Sequence, residues 1–196
     1  MCEHRRVVRR GVRVIAGTER GRRLQVPPGD LVRPTSDRVK EAVFSALDAR
    51  GLVAGATVLD LWAGSGALAV EALSRGAERA VLVELEESAV EAIRQNVERC
   101  GLGGRARVVK SEVARFVAGA AAPEAPFDLI LADPPYGADR GGLCEVLLAL
   151  VAGGLTEEGA HLVLELPASG ARDFPGPWRV VWDRAFGDTL VLFLTA

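Results

Sequence analysis

From Thr57 onward the chain alternates short apolar runs with longer stretches of helical periodicity, and this rhythm restricts the fold more than any other feature. The runs predict strands over 57–62, 79–84, 106–110, 127–132 and 160–166, and the stretches between them predict helices over 67–75, 87–100, 112–119 and 141–152. Strands joined through helices lie parallel, and apolar on both faces they need helices on both sides. The last two strands, 178–184 and 188–195, are separated only by Ala185-Phe186-Gly187, which leaves room for an antiparallel hairpin and no crossover. The expected architecture is therefore α/β: a mostly parallel seven-stranded sheet with a terminal antiparallel hairpin.

Ahead of this core, residues 13–26 alternate enough to predict a short hairpin around Thr18-Glu19-Arg20-Gly21, which Pro27-Pro28-Gly29-Asp30 breaks. A helix is expected after Pro34-Thr35-Ser36, with Asp37 favourable in its first turn and Val39, Val43, Ala46 and Leu47 on its apolar stripe, ending at Gly51. The chain thus divides into an extension, residues 1–50, and a core domain, residues 51–196.

Charge follows the same division. Residues 1–50 carry twelve Arg or Lys against six acids, whereas residues 51–196 carry twelve against twenty. The basic excess sits in Arg5, Arg6, Arg9, Arg10, Arg13, Arg20, Arg22 and Arg23, interleaved with Gly11, Gly17 and Gly21. Arginine forks suit phosphate and glycines permit close backbone approach, so the extension reads as a polyanion-binding arm; a solvated basic tail is the plainer alternative. Only two lysines accompany 22 arginines, a bias that fits a GC-rich genome or heat adaptation equally. Cys2, Cys100 and Cys144 are odd in number and far apart, and His4 and His161 are isolated, so reduced thiols and no metal site are expected. No apolar run reaches the roughly 18 residues of a membrane span and the amino terminus lacks an apolar signal core, which points to a cytoplasmic protein.

Two junctions carry chemistry. In the first, Thr57-Val58-Leu59-Asp60-Leu61-Trp62 runs into Ala63-Gly64-Ser65-Gly66 and a helix. Gly64 and Gly66 let a ligand approach the backbone, the helix offers free N–H groups, and Glu84, about twenty residues on, suits ribose hydroxyls. The glycines alone fit a dinucleotide equally well. Asp60 tilts the choice, because a carboxylate at the strand end repels a diphosphate and attracts the cationic methionine end of S-adenosylmethionine. The cofactor residues expected from this stretch are Asp60, Trp62, Ala63, Gly64, Ser65, Gly66, Glu84 and Leu85, with Glu112 toward the adenine amine and Asp133 at the far edge.

In the second, the apolar run ending at Ala132 stops at Asp133-Pro134-Pro135-Tyr136. Prolines cannot continue a ladder, so the strand must end, leaving an acid, outward carbonyls and an aromatic ring at its carboxyl edge. Asp133 and the Pro134 carbonyl can accept the two N–H bonds of an exocyclic amine while Tyr136 stacks on the base. As positive charge develops on that nitrogen both acceptors bind more strongly, the differential stabilisation that catalysis requires. A base buried in a duplex would have to be flipped out to enter. The bland alternative is a strand end and a Pro-rich turn.

Beyond these junctions, Arg13-Val14-Ile15-Ala16-Gly17, Arg20-Gly21-Arg22-Arg23-Leu24, Arg33-Pro34-Thr35-Ser36-Asp37-Arg38-Val39-Lys40-Glu41-Ala42-Val43-Phe44 and Gly187-Asp188-Thr189 resemble signatures of the bacterial small-subunit ribosomal RNA guanine-N2 methyltransferases, the RsmD type. The resemblance covers nearly the whole chain and implies a class I, Rossmann-like S-adenosylmethionine-dependent enzyme acting on the N2 amine of one guanine of 16S ribosomal RNA, conventionally numbered 966, during small-subunit assembly. It departs from that pattern at Trp62, where a smaller aromatic is commoner, and at Glu112, where Asp or Asn is usual. The RNA contacts expected are Arg9, Arg10, Arg13, Arg20, Arg22, Arg33 and Arg38, and the catalytic residues Asp133, Pro134, Pro135 and Tyr136. Three other readings stay open: a DNA or RNA adenine-N6 methyltransferase or a DNA cytosine methyltransferase, some fifty residues before the core being few for duplex DNA recognition; a nicotinamide-dependent oxidoreductase, resting on the glycine turn; and a non-enzymatic RNA-binding assembly factor, which would not need both Asp60 and the Asp133 junction.

Overall fold

The computed structural model describes residues 12–27, 37–119, 122–135, 137 and 139–196. Within them run α1 (Asp37–Asp48), β1 (Thr57–Leu61), α2 (Ala67–Ser74), β2 (Arg79–Glu84), α3 (Glu87–Arg99), β3 (Ala106–Lys110), α4 (Val113–Ala118), β4 (Phe127–Ala132), α5 (Arg140–Ala152), β5 (Thr156–Pro167), β6 (Arg179–Phe186) and β7 (Thr189–Thr195). The seven strands form one sheet in the order β3-β2-β1-β4-β5-β7-β6. β7 runs antiparallel to both of its neighbours, and the pairs from β3 to β5 are parallel. The α/β expectation holds.

Alternation along each strand divides the core in two. Val58, Ala80, Leu82, Leu129, Leu131, Val163, Val191 and Phe193 face α1, α2, α3 and the amino-terminal segment. Leu59, Leu61, Val81, Val83, Ile130, Ala132, Leu162, Leu164 and Leu192 face α4 and α5. Continuous burial of strand residues on both faces is what a helix-covered parallel sheet demands.

Most boundaries agree with the sequence reading to within a residue; the larger departures are in β5, β6 and the amino-terminal hairpin. β5 begins at Thr156, four residues early, because Phe127 already pairs with Thr156 before the register shifts to Leu129 opposite His161. The Glu157-Glu158-Gly159 stretch, outside the expected strand, belongs to β5 as an irregular part of it, with Gly159 at φ 87° and its N–H donated to the Ala196 carbonyl. β6 extends through Phe186, which pairs with Thr189, so the closing loop is Gly187-Asp188. The hairpin expected over 13–26 is reduced to a single bridge, Arg13 opposite Arg23, flanked by Val14 N–H to Arg22 O and Leu24 N–H to Val12 O.

That segment is docked by buried polar groups. Glu71 of α2 accepts the N–H groups of Ile15 (2.7 Å) and Ala16 (3.0 Å), receives Arg75 Nε at 2.8 Å, and lies 3.4 Å from the Lys40 ammonium of α1. Lys40 donates to the Arg13 carbonyl at 2.6 Å, and Arg75 pairs with Asp48. Ser74 Oγ donates to the Ala16 carbonyl, and its own carbonyl accepts the Thr18 N–H. Gly17 lies so close that a Cβ there would fall 1.8 Å from the Ser74 carbonyl oxygen, so only glycine fits. Asn96 of α3 accepts the Gln25 N–H and donates to both the Gln25 and Ser65 carbonyls. The segment is thereby fixed to α2, α3 and the glycine turn.

Candidate active site

The sheet changes direction of winding between β1 and β4, and a crevice at such a switch point, outside the carboxyl ends of the strands, is where open α/β sheets bind ligands. A cleft of about 570 Å³ lies there. One half is lined by Asp60, the turn from Trp62 to Ser65, Glu84 to Glu86, and Ser111 to Val113; the other by Asp133, Pro134, Pro135, Glu165, Phe186 and Thr189.

Strand parity explains the floor. Asp60 follows Val58, Glu84 follows Leu82, Asp133 follows Leu131 and Glu165 follows Val163, each two residues beyond a side chain packed on the α1–α2–α3 face. Four carboxyl-bearing residues from four strands therefore share one face at one edge of the sheet. With Glu86 and Glu112 they make six acids around the cleft, and the described lining contains no Lys, Arg or His.

Each acid is held differently. Asp60 is 1% exposed and accepts the Ala69 N–H from the first turn of α2 at 3.1 Å. Burial pushes its carboxyl up to about 8; the Ala69 hydrogen bond opposes this, and Asp133 and Glu84 add repulsion. Glu84 accepts the N–H groups of Gly64 (2.8 Å), Leu85 (2.7 Å) and Glu86 (2.9 Å), tying the glycine turn to the start of α3. Glu112 occupies the N-cap position of α4 but makes no capping bond, and its exposed side chain borders the cleft. Leu85 is 54% exposed at the same rim.

The turn itself is conformationally unusual. Trp62 is the only described non-glycine residue with positive φ, at 57°, a conformation that costs free energy and concentrates at functional sites. Gly66, at φ 73°, is the N-cap of α2, and a Cβ there would come within 3.0 Å of Leu82. These features bend the backbone tightly over the end of β1 and leave the Trp62–Ser65 stretch facing the cleft.

The residues read from sequence fall out as follows. Asp60, Trp62, Ala63, Gly64, Ser65, Glu84, Leu85, Glu112, Asp133, Pro134 and Pro135 all line the cleft; Gly66 lies behind it, against Leu82 and Ile93. Arg13 pairs with Asp37 and Arg22 with Glu19, while Arg20 and Arg38 are exposed. Tyr136, Arg9, Arg10 and Arg33 lie outside the described residues. Sequence reading missed Glu165. A glutamate after Val163-Leu164 reads as the solvent face of a strand end, and only the pairing with β4 places it beside the Asp133 junction.

A site floored by carboxylates suits a cationic ligand and opposes a diphosphate. The residues present accordingly fit S-adenosylmethionine, whose sulfonium and ammonium are both positive, and do not fit a nicotinamide dinucleotide. Among the described residues no helix is long and apolar enough to cross a membrane, and no group of His, Cys, Asp and Glu is placed to hold a metal ion.

The chain matches, over residues 12–195, the family described as Conserved hypothetical protein 95. It is 35% identical over 178 residues to the ribosomal RNA small subunit methyltransferase D of Escherichia coli K12, covering 90% of this chain and 85% of that one. Among solved structures it is similar to a methyltransferase described as putative, yhhF of Escherichia coli, with TM-score 0.81 and 32% identity over 94% of this chain and 97% of that one. A hypothetical protein of Thermus thermophilus aligns with TM-score 0.79 and 36% identity, covering 94% and 99%. The order of the strands, the acid-floored cleft at the switch point and this likeness along nearly the whole length agree, and the chain belongs to the small-subunit methyltransferase D family of class I S-adenosylmethionine-dependent methyltransferases.

Proposed function

We propose that this protein methylates the exocyclic N2 amine of a specific guanine in 16S ribosomal RNA during small-subunit assembly. The observation that carries the reading is the Asp133-Pro134 junction, an acid and a buried proline at the end of β4, opening onto the cofactor cleft in a chain whose relative is named for small-subunit ribosomal RNA. S-adenosylmethionine, when bound, supplies an electrophilic methyl group on a sulfonium, so the protein's task is to present and deprotonate a poor nucleophile.

In this reading the half of the cleft on β1, β2 and β3 holds the cofactor. Asp60 faces the methionine end, Glu84 the ribose hydroxyls, and Leu85 and Glu112 the adenine, while the Trp62–Gly66 turn provides close backbone approach. The half on β4, β5 and the closing hairpin holds the base. The guanine N2 lone pair is delocalised into the ring; Asp133 and the Pro134 carbonyl accept its two N–H bonds, favour the pyramidal amine and tighten as charge develops on nitrogen. Asp133 then takes the departing proton. Tyr136 stacks on the base, and the exposed Arg20, Arg22 and Arg38, with Arg9, Arg10, Arg13 and Arg33, meet RNA phosphates. Residues 1–50 act as the RNA-binding arm of a catalytic domain spanning residues 51–196.

The test is methyl transfer by the purified protein to 16S ribosomal RNA and to small-subunit precursor particles, followed by nucleoside mass analysis. N2-methylguanosine at one position is expected; N6-methyladenosine would replace this reading with the adenine alternative. Asp133→Ala should lower turnover tenfold to a hundredfold, since one hydrogen bond to a developing charge is worth roughly 1.5–3 kcal/mol, while cofactor affinity changes far less.

A further inference from the structure

We propose that Glu165 selects guanine, its carboxylate accepting the N1–H of the target base while Asp133 and the Pro134 carbonyl hold the N2 amine. The proposal rests on the guanine-N2 reading above and adds a residue and a specificity to it.

Placement is the first argument. β5 pairs with β4 in parallel, with Ala132 opposite Leu164, so the next residues along, Asp133 and Glu165, stand side by side on neighbouring strands. Strand alternation puts both on the face that carries Leu131 and Val163, and both line the cleft. β4 stands between Glu165 and the β1 and β2 strands that carry Asp60 and Glu84, so Glu165 belongs to the base half of the cleft rather than the cofactor half. Its cleft-lining neighbours there, Leu166, Pro167 and Phe186, form an apolar surround.

Chemistry is the second. Glu165 is 6% exposed and lines the cleft, so a hydrogen bond made to its carboxylate there is shielded from water and correspondingly strong. Guanine presents two adjacent donors on its Watson–Crick edge, N1–H and N2–H. Two neighbouring carboxylates offer matching acceptors, and such charge-assisted bonds are the strong ones. Adenine presents an unprotonated N1 between its amine and C2, so the same carboxylate would face a lone pair. A site built to accept a hydrogen bond rejects an analogue that cannot donate it far better than one shaped for size alone.

The experiment uses the full-length protein, S-adenosylmethionine and an RNA substrate carrying guanine, 2-aminopurine or adenine at the target position. 2-Aminopurine keeps the N2 amine but has a lone pair at N1. The wild-type protein is expected to methylate guanine at least about a hundredfold more efficiently in kcat/KM than 2-aminopurine. Glu165→Gln, checked for an unchanged melting transition and S-adenosylhomocysteine affinity, should lose tenfold or more on guanine and narrow the guanine preference to under about tenfold. Should the variant fail to fold, the wild-type comparison decides alone: equal rates on guanine and 2-aminopurine overturn the proposal. Guanine methylation with a preference that survives Glu165→Gln also overturns it, and leaves the guanine-N2 reading intact. Methylation of adenine and not guanine removes both.

Discussion

Two sets of charged side chains lie a few residues apart in this protein and are built on opposite plans. Behind the glycine turn, Glu71 sits among Lys40, Arg75 and two backbone N–H groups, so its charge is matched inside the protein. In front of the turn, the cleft gathers six acids with no basic residue in its described lining. The desolvation cost of burial falls on Glu71 and Lys40 in the first arrangement and on Asp60 and Glu165 in the second. The first is closed and serves to hold the amino-terminal segment, α1 and α2 together; the second opens onto the cleft, and its most buried member, Asp60, holds its proton up to about pH 8. The contrast separates charge that fixes the fold from charge set out for a cation.

The closed set should be the more damaging to break. Glu71→Ala strands the Lys40 ammonium, whose pKa burial already depresses against the pull of Glu71, together with the Ile15 and Ala16 N–H groups. Breaking a buried pair this way costs about 3–5 kcal/mol, a fall in Tm of roughly 6–20 °C at this chain length. Adding Lys40→Met should recover part of the loss by removing the orphaned charge. A melting transition that Glu71→Ala leaves in place would erase the distinction between the two sets.

Substitution in the open set should act in the opposite direction. Because the folded carboxyl of Asp60 titrates near 8 and the unfolded one near 3.8, the native state holds the extra proton between those values, and stability falls as pH rises through that window. Asp60→Asn keeps an acceptor for the Ala69 N–H and removes the charge. It should therefore stabilise the ligand-free protein by at least about 1 kcal/mol near pH 8, roughly 2–4 °C in Tm, with little gain at pH 4, while weakening S-adenosylmethionine binding. Thermal melts across pH with and without ligand measure both; destabilisation at pH 8 would place Asp60 with the closed set.

Much of this was legible in the sequence, and the exceptions share a cause. The alternating strands, the glycine turn and the Asp133 junction are local patterns and could be read along the chain. Glu165 depends on which strand lies next to β4, a fact set by the crossover after α5 and invisible in its own neighbours. Glu71 and Asn96 were missed although each leaves a trace: Glu71 is the one charge in the otherwise apolar Ala67–Ser74 helix, and Asn96, the chain's single asparagine, falls on the stripe of Ile93 and Val97. A polar residue on a buried helical face is a mark of a long-range partner, but the partner cannot be named from spacing. The early start of β5 was hidden because Glu157-Glu158-Gly159 has turn composition and its strand pairing comes from Phe127.

A subtler consequence of the open set is proton release. A cationic ligand favours ionised Asp60, so binding below pH 8 must displace its proton. Calorimetry of S-adenosylhomocysteine binding in buffers of differing ionisation enthalpy should find close to one proton released at pH 6.5, about half at pH 8 and almost none above pH 9, after correction for the ligand's own ammonium. Affinity should rise up to about tenfold per pH unit over the lower range. The Asp60→Asn variant should release none. Proton uptake, or no exchange at all at pH 6.5, would mean that the cofactor's positive charge does not meet this carboxyl.

The smallest effect is expected where charge is neither buried nor gathered in the cleft. Arg20 and Arg22 stand exposed on the turn that α2 holds through Gly17 and Ser74, and the one ion pair they make among the described residues, Arg22 with Glu19, is a surface pair worth about 0–1 kcal/mol. Replacing both by alanine should leave melting and cofactor binding within error. If both meet phosphates, the slope of log RNA affinity against log salt should become shallower by up to roughly 1.4–1.8 units, and affinity should fall most at low salt. The docking network makes this reading specific: because the turn is rigidly fixed to the helix behind the cofactor turn, phosphates engaged there are held in register with the base half of the cleft, so KM for RNA should rise while kcat on bound RNA changes little. A lowered kcat with an unchanged salt slope would show that these arginines act through the fold of the turn, and would move them from the RNA-facing surface to the closed, structural set.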